Sequence, residues 1–84
     1  RTMLGIEALE RGDAAVAARE FEAALARDGT DALALFGFAR ALVALDRRGE
    51  AAQALERAVK ADPAAWDAAF GSADLGPLLP PRSP

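Results

Sequence analysis

Residues 35–63 read LFGFARALVALDRRGEAAQALERAVKADP. Leu35, Phe38, Ala39 and Leu42 fall on one face at steps of three, one and three. Ala51, Leu55, Ala58 and Val59 follow at steps of four, three and one. These are helical periods; a half-buried strand would alternate at every second residue. Asp46-Arg47-Arg48-Gly49 breaks the two runs apart. Asp62-Pro63 closes the second: Asp62 reads as an N-cap and Pro63 as the first residue of another helix, where its missing N–H costs nothing.

Moving outward, the same faces return 34 residues away. Leu4 recurs as Phe38, Gly5 as Ala39, Ala17 as Ala51, Phe21 as Leu55, Ala24 as Ala58, Leu25 as Val59 and Asp28 as Asp62. Phe36 recurs as Phe70 and carries the register onward. Gly12-Asp13 and Arg27-Asp28-Gly29-Thr30-Asp31 supply the other breaks, with Asp13 as a cap and Gly29 suited to a left-handed C-terminal position. The pattern predicts five helices near 2–11, 14–27, 31–45, 49–61 and 64–74, with short loops that make consecutive helices antiparallel neighbours. Leu78-Leu79-Pro80-Pro81-Arg82-Ser83-Pro84 is expected to be non-helical.

Composition narrows the chemistry. The chain has 84 residues, enough for one small domain, and 52% of them are hydrophobic, much of that alanine, which favours helix. There is no His, Cys, Tyr or Asn. The usual general base, the thiolate nucleophile and the commonest metal ligands are therefore missing, and no enzyme, cofactor or metal site is expected. The carboxylates Asp28, Asp31, Asp62, Asp67 and Asp74 read as caps and loop residues. A net charge of −3 argues against nucleic acid, and no apolar run approaches a membrane span. Lack of cysteine fixes no compartment; a soluble, cytoplasmic chain is the expectation. The start on Arg, inside a repeat, fits a processed form or a piece of something longer.

The 34-residue helix pair resembles the tetratricopeptide repeat, or TPR. Its pattern is met by Leu35-x2-Phe38-Ala39-x2-Leu42, Ala51-x3-Leu55, Ala58 and Pro63. An earlier copy runs Leu4-Gly5-x2-Ala8, Ala17-x3-Phe21 and Ala24, with Gly29 in the place of the proline. A third departs from it, with Ser72, Ala73 and Gly76 at the pattern positions. The resemblance implies an all-α stack of antiparallel helix hairpins, a short superhelical solenoid. Repeat one would cover 1–31, repeat two 32–65 and a capping helix 64–74, the whole domain 1–75, before a Pro-rich tail or linker over 76–84. Small residues (Gly5, Ala17, Ala24, Ala39, Ala51, Ala58) would let paired helices approach, while Leu4, Phe21, Phe38, Leu42 and Leu55 fill the space between pairs. Trp66 is expected over the fourth helix.

The resemblance also implies a protein-binding or scaffolding role. The first helix of each pair would line a concave face, placing there Thr2, Ile6 and Leu9, then Leu33, Phe36, Arg40 and Val43, then Phe70. Leu33, Phe36 and Val43 make a second apolar row on a helix whose Leu35–Leu42 row already packs. That row invites an apolar or amphipathic segment of a partner protein. Two other occupants stay open: the fifth helix or the tail through Leu75, Leu78 and Leu79, and a second copy of the chain in a homo-oligomer. A docking or regulatory appendage of a larger enzyme is a further alternative. Arg40 is either an anchor for an acidic group or a solvated surface Arg. Some members of the family clamp a carboxylate with Lys and Asn; here Thr2, Ile6 and Gly37 stand at those places, so that mode is not expected.

Overall fold

The structure, a computed structural model, describes residues 2–79, with the side chain of Thr2 also outside the description. The Thr2 contribution to the concave face and the proline-rich residues 80–84 therefore lie outside the described residues. Five α-helices follow one another: α1 (Thr2–Glu10), α2 (Ala14–Arg27), α3 (Ala32–Ala44), α4 (Arg48–Ala61) and α5 (Ala64–Phe70). One 3₁₀ turn, Gly76–Leu78, comes after them. There is no strand among the described residues. Each helix packs on its predecessor, and α1 also reaches α3, so the hairpins stack in one direction.

Helix ends explain the punctuation. The Val16 N–H donates to Asp13 Oδ1 at 3.4 Å, and the Ala34 N–H to Asp31 Oδ1 at 3.2 Å. Both caps satisfy an otherwise orphaned donor of the first turn. The C-terminus of α1 closes with paired bonds, Asp13 N–H to the Ala8 carbonyl and Gly12 N–H to the Leu9 carbonyl, with Gly12 at φ +78°. This is the Schellman arrangement. It recurs 34 residues later: Arg47 N–H donates to Leu42, Asp46 N–H to Val43, and Asp46 sits at φ +61°. A Cβ at a left-handed position costs roughly 1–2 kcal/mol. We expect Asp46→Gly to raise stability by about 0.5–1 kcal/mol, after allowing for glycine's greater freedom when unfolded; a denaturant midpoint that falls would contradict the assignment.

Gly29 corrects an expectation. Gly12 is the single glycine with positive φ among the described residues, so Gly29 is not a left-handed cap. Instead α2 ends on an extended Asp28, whose Oδ1 accepts the Thr30 N–H at 3.0 Å and the Thr30 hydroxyl at 2.7 Å. Asp62 ends α4 the same way, its Oδ1 accepting the Ala64 N–H at 3.0 Å. Gly29 serves a longer-range contact: its carbonyl accepts Arg57 Nη2 at 3.0 Å, and an added Cβ would lie 3.4 Å from that nitrogen.

The Thr30 hydroxyl, and after it the Thr30 N–H, lowers the pKa of the Asp28 carboxyl below the ordinary aspartate value. A depressed folded-state pKa contributes stability above the unfolded titration range, and that contribution is lost as pH falls through the folded value. Thr30→Val should move the Asp28 titration back up, read from its side-chain carbonyl resonance. An unchanged titration would discount the hydroxyl.

Two apolar clusters fill the stack. The first joins α1, α2 and α3 through Ala8, Ala17, Ala18, Phe21, Ala24, Ala34 and Ala41. The second joins α3 and α4 to the C-terminal segment through Ala39, Leu42, Ala51, Ala54, Leu55, Ala69 and Leu75. Phe38 touches both. Phe21 and Leu55, equivalent by the 34-residue shift, are fully buried. Around Phe21 the backbone itself gives way. A Cβ on Gly5 would come within 2.8 Å of the Phe21 ring, and one on Gly37 closer still to its Cζ. The smaller Leu55 leaves room for a methyl, and the residue equivalent to Gly5 is the buried Ala39.

Three further expectations are corrected. Leu4 does not fill a gap: it is 49% exposed and belongs to neither cluster. The fifth helix stops at Phe70, four residues short of Asp74. Ser72 hydrogen-bonds Asp74 there, a local side-chain bond that competes with helix, and the turn delivers Leu75 into the second cluster. Leu78, expected outside any helix, lies in the 3₁₀ turn, and Leu78 and Leu79 pack against the same cluster. Trp66 is half-buried on α5 and stacks on Phe70 with ring centroids 5.0 Å apart.

Candidate functional site

The first-helix side of the stack carries two adjoining cavities. One, of about 340 Å³, lies between α1 and α3 and is lined by Ile6, Leu9, Glu10, Leu33, Phe36, Gly37 and Arg40. The other, also about 340 Å³, lies between α3 and α5, lined by Ala32, Leu33, Phe36, Asp62, Ala64, Ala65 and Ala68. Leu33 and Phe36 belong to both and form the ridge between them.

Helical spacing puts these side chains there. Ile6, Leu9 and Glu10 are three and four residues apart on α1, as are Leu33, Phe36, Gly37 and Arg40 on α3. Ala64, Ala65 and Ala68 offer a short face of methyl groups on α5. Leu33 is 58% exposed, a large apolar side chain left in water. Ile6, Leu9 and Phe36 are half-buried. Gly37, at the place of a clamp Asn in the resemblance, is held glycine by the Phe21 ring behind it.

Arg40 is neither alone nor buried. Its Nε lies 3.8 Å from Asp74 Oδ2, and both side chains are more than a third exposed. Such an exposed pair contributes on the order of 0–1 kcal/mol. Asp74 also accepts the Ser72 hydroxyl, which holds it in place beside Arg40.

With the Thr2 side chain outside the description, five of the remaining seven expected residues, Ile6, Leu9, Leu33, Phe36 and Arg40, meet at one cavity. Val43 does not join them; it packs into the second cluster with Leu78 and Leu79. Val43 and Phe36 are both half-buried against that cluster, while Leu33 stays exposed. Phe70 lines neither cavity and stands 68% exposed against Trp66. Sequence reasoning misses Glu10, Ala32, Asp62 and the alanines of α5. Glu10 was signalled by its place one turn after Ile6, and Ala64–Ala68 by their i,i+4 spacing. Asp62 reads in the sequence only as an N-cap with Pro63 as the first helical residue; in the folded chain Pro63 takes the N-cap place of α5, and Asp62 is the C-cap of α4, its Oδ1 accepting the Ala64 N–H.

No group of three His, Cys, Asp or Glu among the described residues is placed to hold a metal ion. No described helix is long and apolar enough to cross a membrane. The family model described as Tetratricopeptide repeat matches residues 8–74. Comparisons with curated proteins and with solved structures find no match.

Proposed function

We propose, because this chain belongs to the tetratricopeptide repeat family, that it binds a segment of a partner protein in the groove formed by the two cavities. Such repeats generally mediate protein–protein interaction or scaffolding, and the family is typically non-catalytic. The observation that supports this groove is the convergence of Ile6, Leu9, Leu33, Phe36 and Arg40, from two different helices, on one cavity. The mechanism is apolar and shape complementarity. Leu33 and Phe36 form a ridge, and a partner's side chains occupy the hollow on either side. Burying Leu33 and Phe36 at about 25 cal/mol per Å² supplies the drive, and the Arg40–Asp74 pair at the rim restricts orientation.

Leu33 is the cleaner probe, since Phe36 also packs against the second cluster. Leu33→Asp is expected to weaken binding of an amphipathic helical peptide about tenfold or more, about 1.4 kcal/mol, with helicity unchanged. Ala15→Asp, an equal charge change on an exposed residue of α2 that lines neither cavity, is expected to leave it intact. Equal loss in the two variants would refute this groove. Concentration-dependent sedimentation abolished by Leu33→Asp alone would instead make a second copy of the chain its occupant.

A further inference from the structure

The charges at the groove define its occupant further, on the premise that the groove is the binding site. The α1–α3 cavity carries Glu10, and the α3–α5 cavity carries Asp62. Arg40 lies on the first of these cavities, and its guanidinium is already met by Asp74. Among the described residues, the two linings hold two acidic residues, Glu10 and Asp62, and one basic residue, Arg40. An apolar ridge separates the two hollows, and an acidic residue lines each. Glu10 has no ion pair among the described residues. The Asp62 carboxylate accepts the Ala64 N–H.

We infer that the partner segment is cationic and amphipathic: two apolar side chains straddle Leu33 and Phe36, and Lys or Arg residues flanking them face Glu10 and Asp62. An acidic segment meets the opposite conditions. It faces both acidic residues, and the guanidinium that would receive it is already partly neutralised by Asp74. Attraction between exposed charges is modest and screened by salt, so it sets the choice between partners of opposite charge more than the affinity itself.

The test uses two fluorescently labelled helical peptides with the same pair of Leu anchors at i and i+4, one flanked by Lys and the other by Glu. Each is titrated with the intact chain at low salt, with anisotropy as the readout. The Lys peptide is expected to bind about tenfold more tightly than its Glu twin. Glu10→Gln combined with Asp62→Asn is expected to shrink that preference to about twofold or less. Asn keeps the cap at residue 62, and circular dichroism checks that the variant is folded. A charge-matched control, Glu22→Gln with Asp46→Asn, is expected to keep the preference. If both peptides bind equally and Leu33→Asp abolishes both, the groove stands and the inference about charge is overturned. If the preference survives in the Glu10/Asp62 variant, it comes from the net charge of the whole chain, and the inference is likewise overturned. If neither peptide binds at millimolar protein, the groove reading itself fails.

Discussion

Phe21→Ala is expected to cost about 3–5 kcal/mol, toward the top of the range for removing a buried aromatic ring. The ring is fully buried in the first cluster, and its neighbours cannot collapse into the space it leaves. Gly5 on α1 and Gly37 on α3 present bare backbone to its two sides, with no side chain to swing inward. A single-domain protein is stable by about 5–15 kcal/mol, so the loss would consume a large part of the total. Phe21 also holds the first pair to the second, so the N-terminal hairpin should loosen first. Amide hydrogen exchange should then show α1 and α2 losing protection while α4 keeps more of its own. Uniform loss along the chain, or a cost below about 1.5 kcal/mol, would mean that the ring is not the joint between the pairs.

Gly37→Ala is the second large effect, and its sign runs against helix propensity. In a helix interior alanine is favoured over glycine by about 1 kcal/mol. Here the added methyl would lie 2.6 and 2.9 Å from Cε1 and Cε2 of Phe21, and closer again to Cζ. The ring has no free volume to retreat into, and overpacking of this kind costs about 1–3 kcal/mol. We expect a net loss of about 1–2 kcal/mol. In a Phe21→Leu background the same substitution should become neutral or stabilising, since the shorter side chain leaves the methyl its space. That reversal is a coupling between two residues in contact, measurable in a double-mutant cycle. Additive costs in the two backgrounds would contradict the packing described.

These two glycines show how far the fold could be read from residues alone. The 34-residue shift placed Gly5 against Ala39 and Phe21 against Leu55, and the structure gives the reason: a larger ring in one repeat demands smaller backbone neighbours, and a smaller side chain in the next permits a methyl. Caps at Asp13 and Asp31 were legible because an N-cap acts on its own first turn. Gly29 was not, because its turn is closed by Asp28, Thr30 and a guanidinium, Arg57, from another helix. The end of α5 depended on where Leu75 finds its cavity, a contact with distant α3 and α4 that no local spacing encodes.

The site divides along the same line. Ile6, Leu9, Leu33, Phe36 and Arg40 share helix faces whose spacing is local, and they converge as expected. Val43 shares that spacing, yet it packs against the second cluster, which Ala69 and Leu75 of the C-terminal segment complete only in the folded stack. Phe70 follows the repeat register, but α5 ends on it, and its ring turns to Trp66 instead of the groove. Glu10 and Asp62 were visible as charges but not as neighbours of the cavities, since their helices meet only in the folded stack.

A map of backbone amide shifts during titration with the Lys-flanked amphipathic peptide locates the binding surface outright. The largest shifts are expected at Ile6, Leu9, Glu10, Leu33, Phe36, Ala65 and Ala68, with α2 and α4 little changed. Shifts centred on the outer faces of α2 and α4 would place binding elsewhere and contradict the groove.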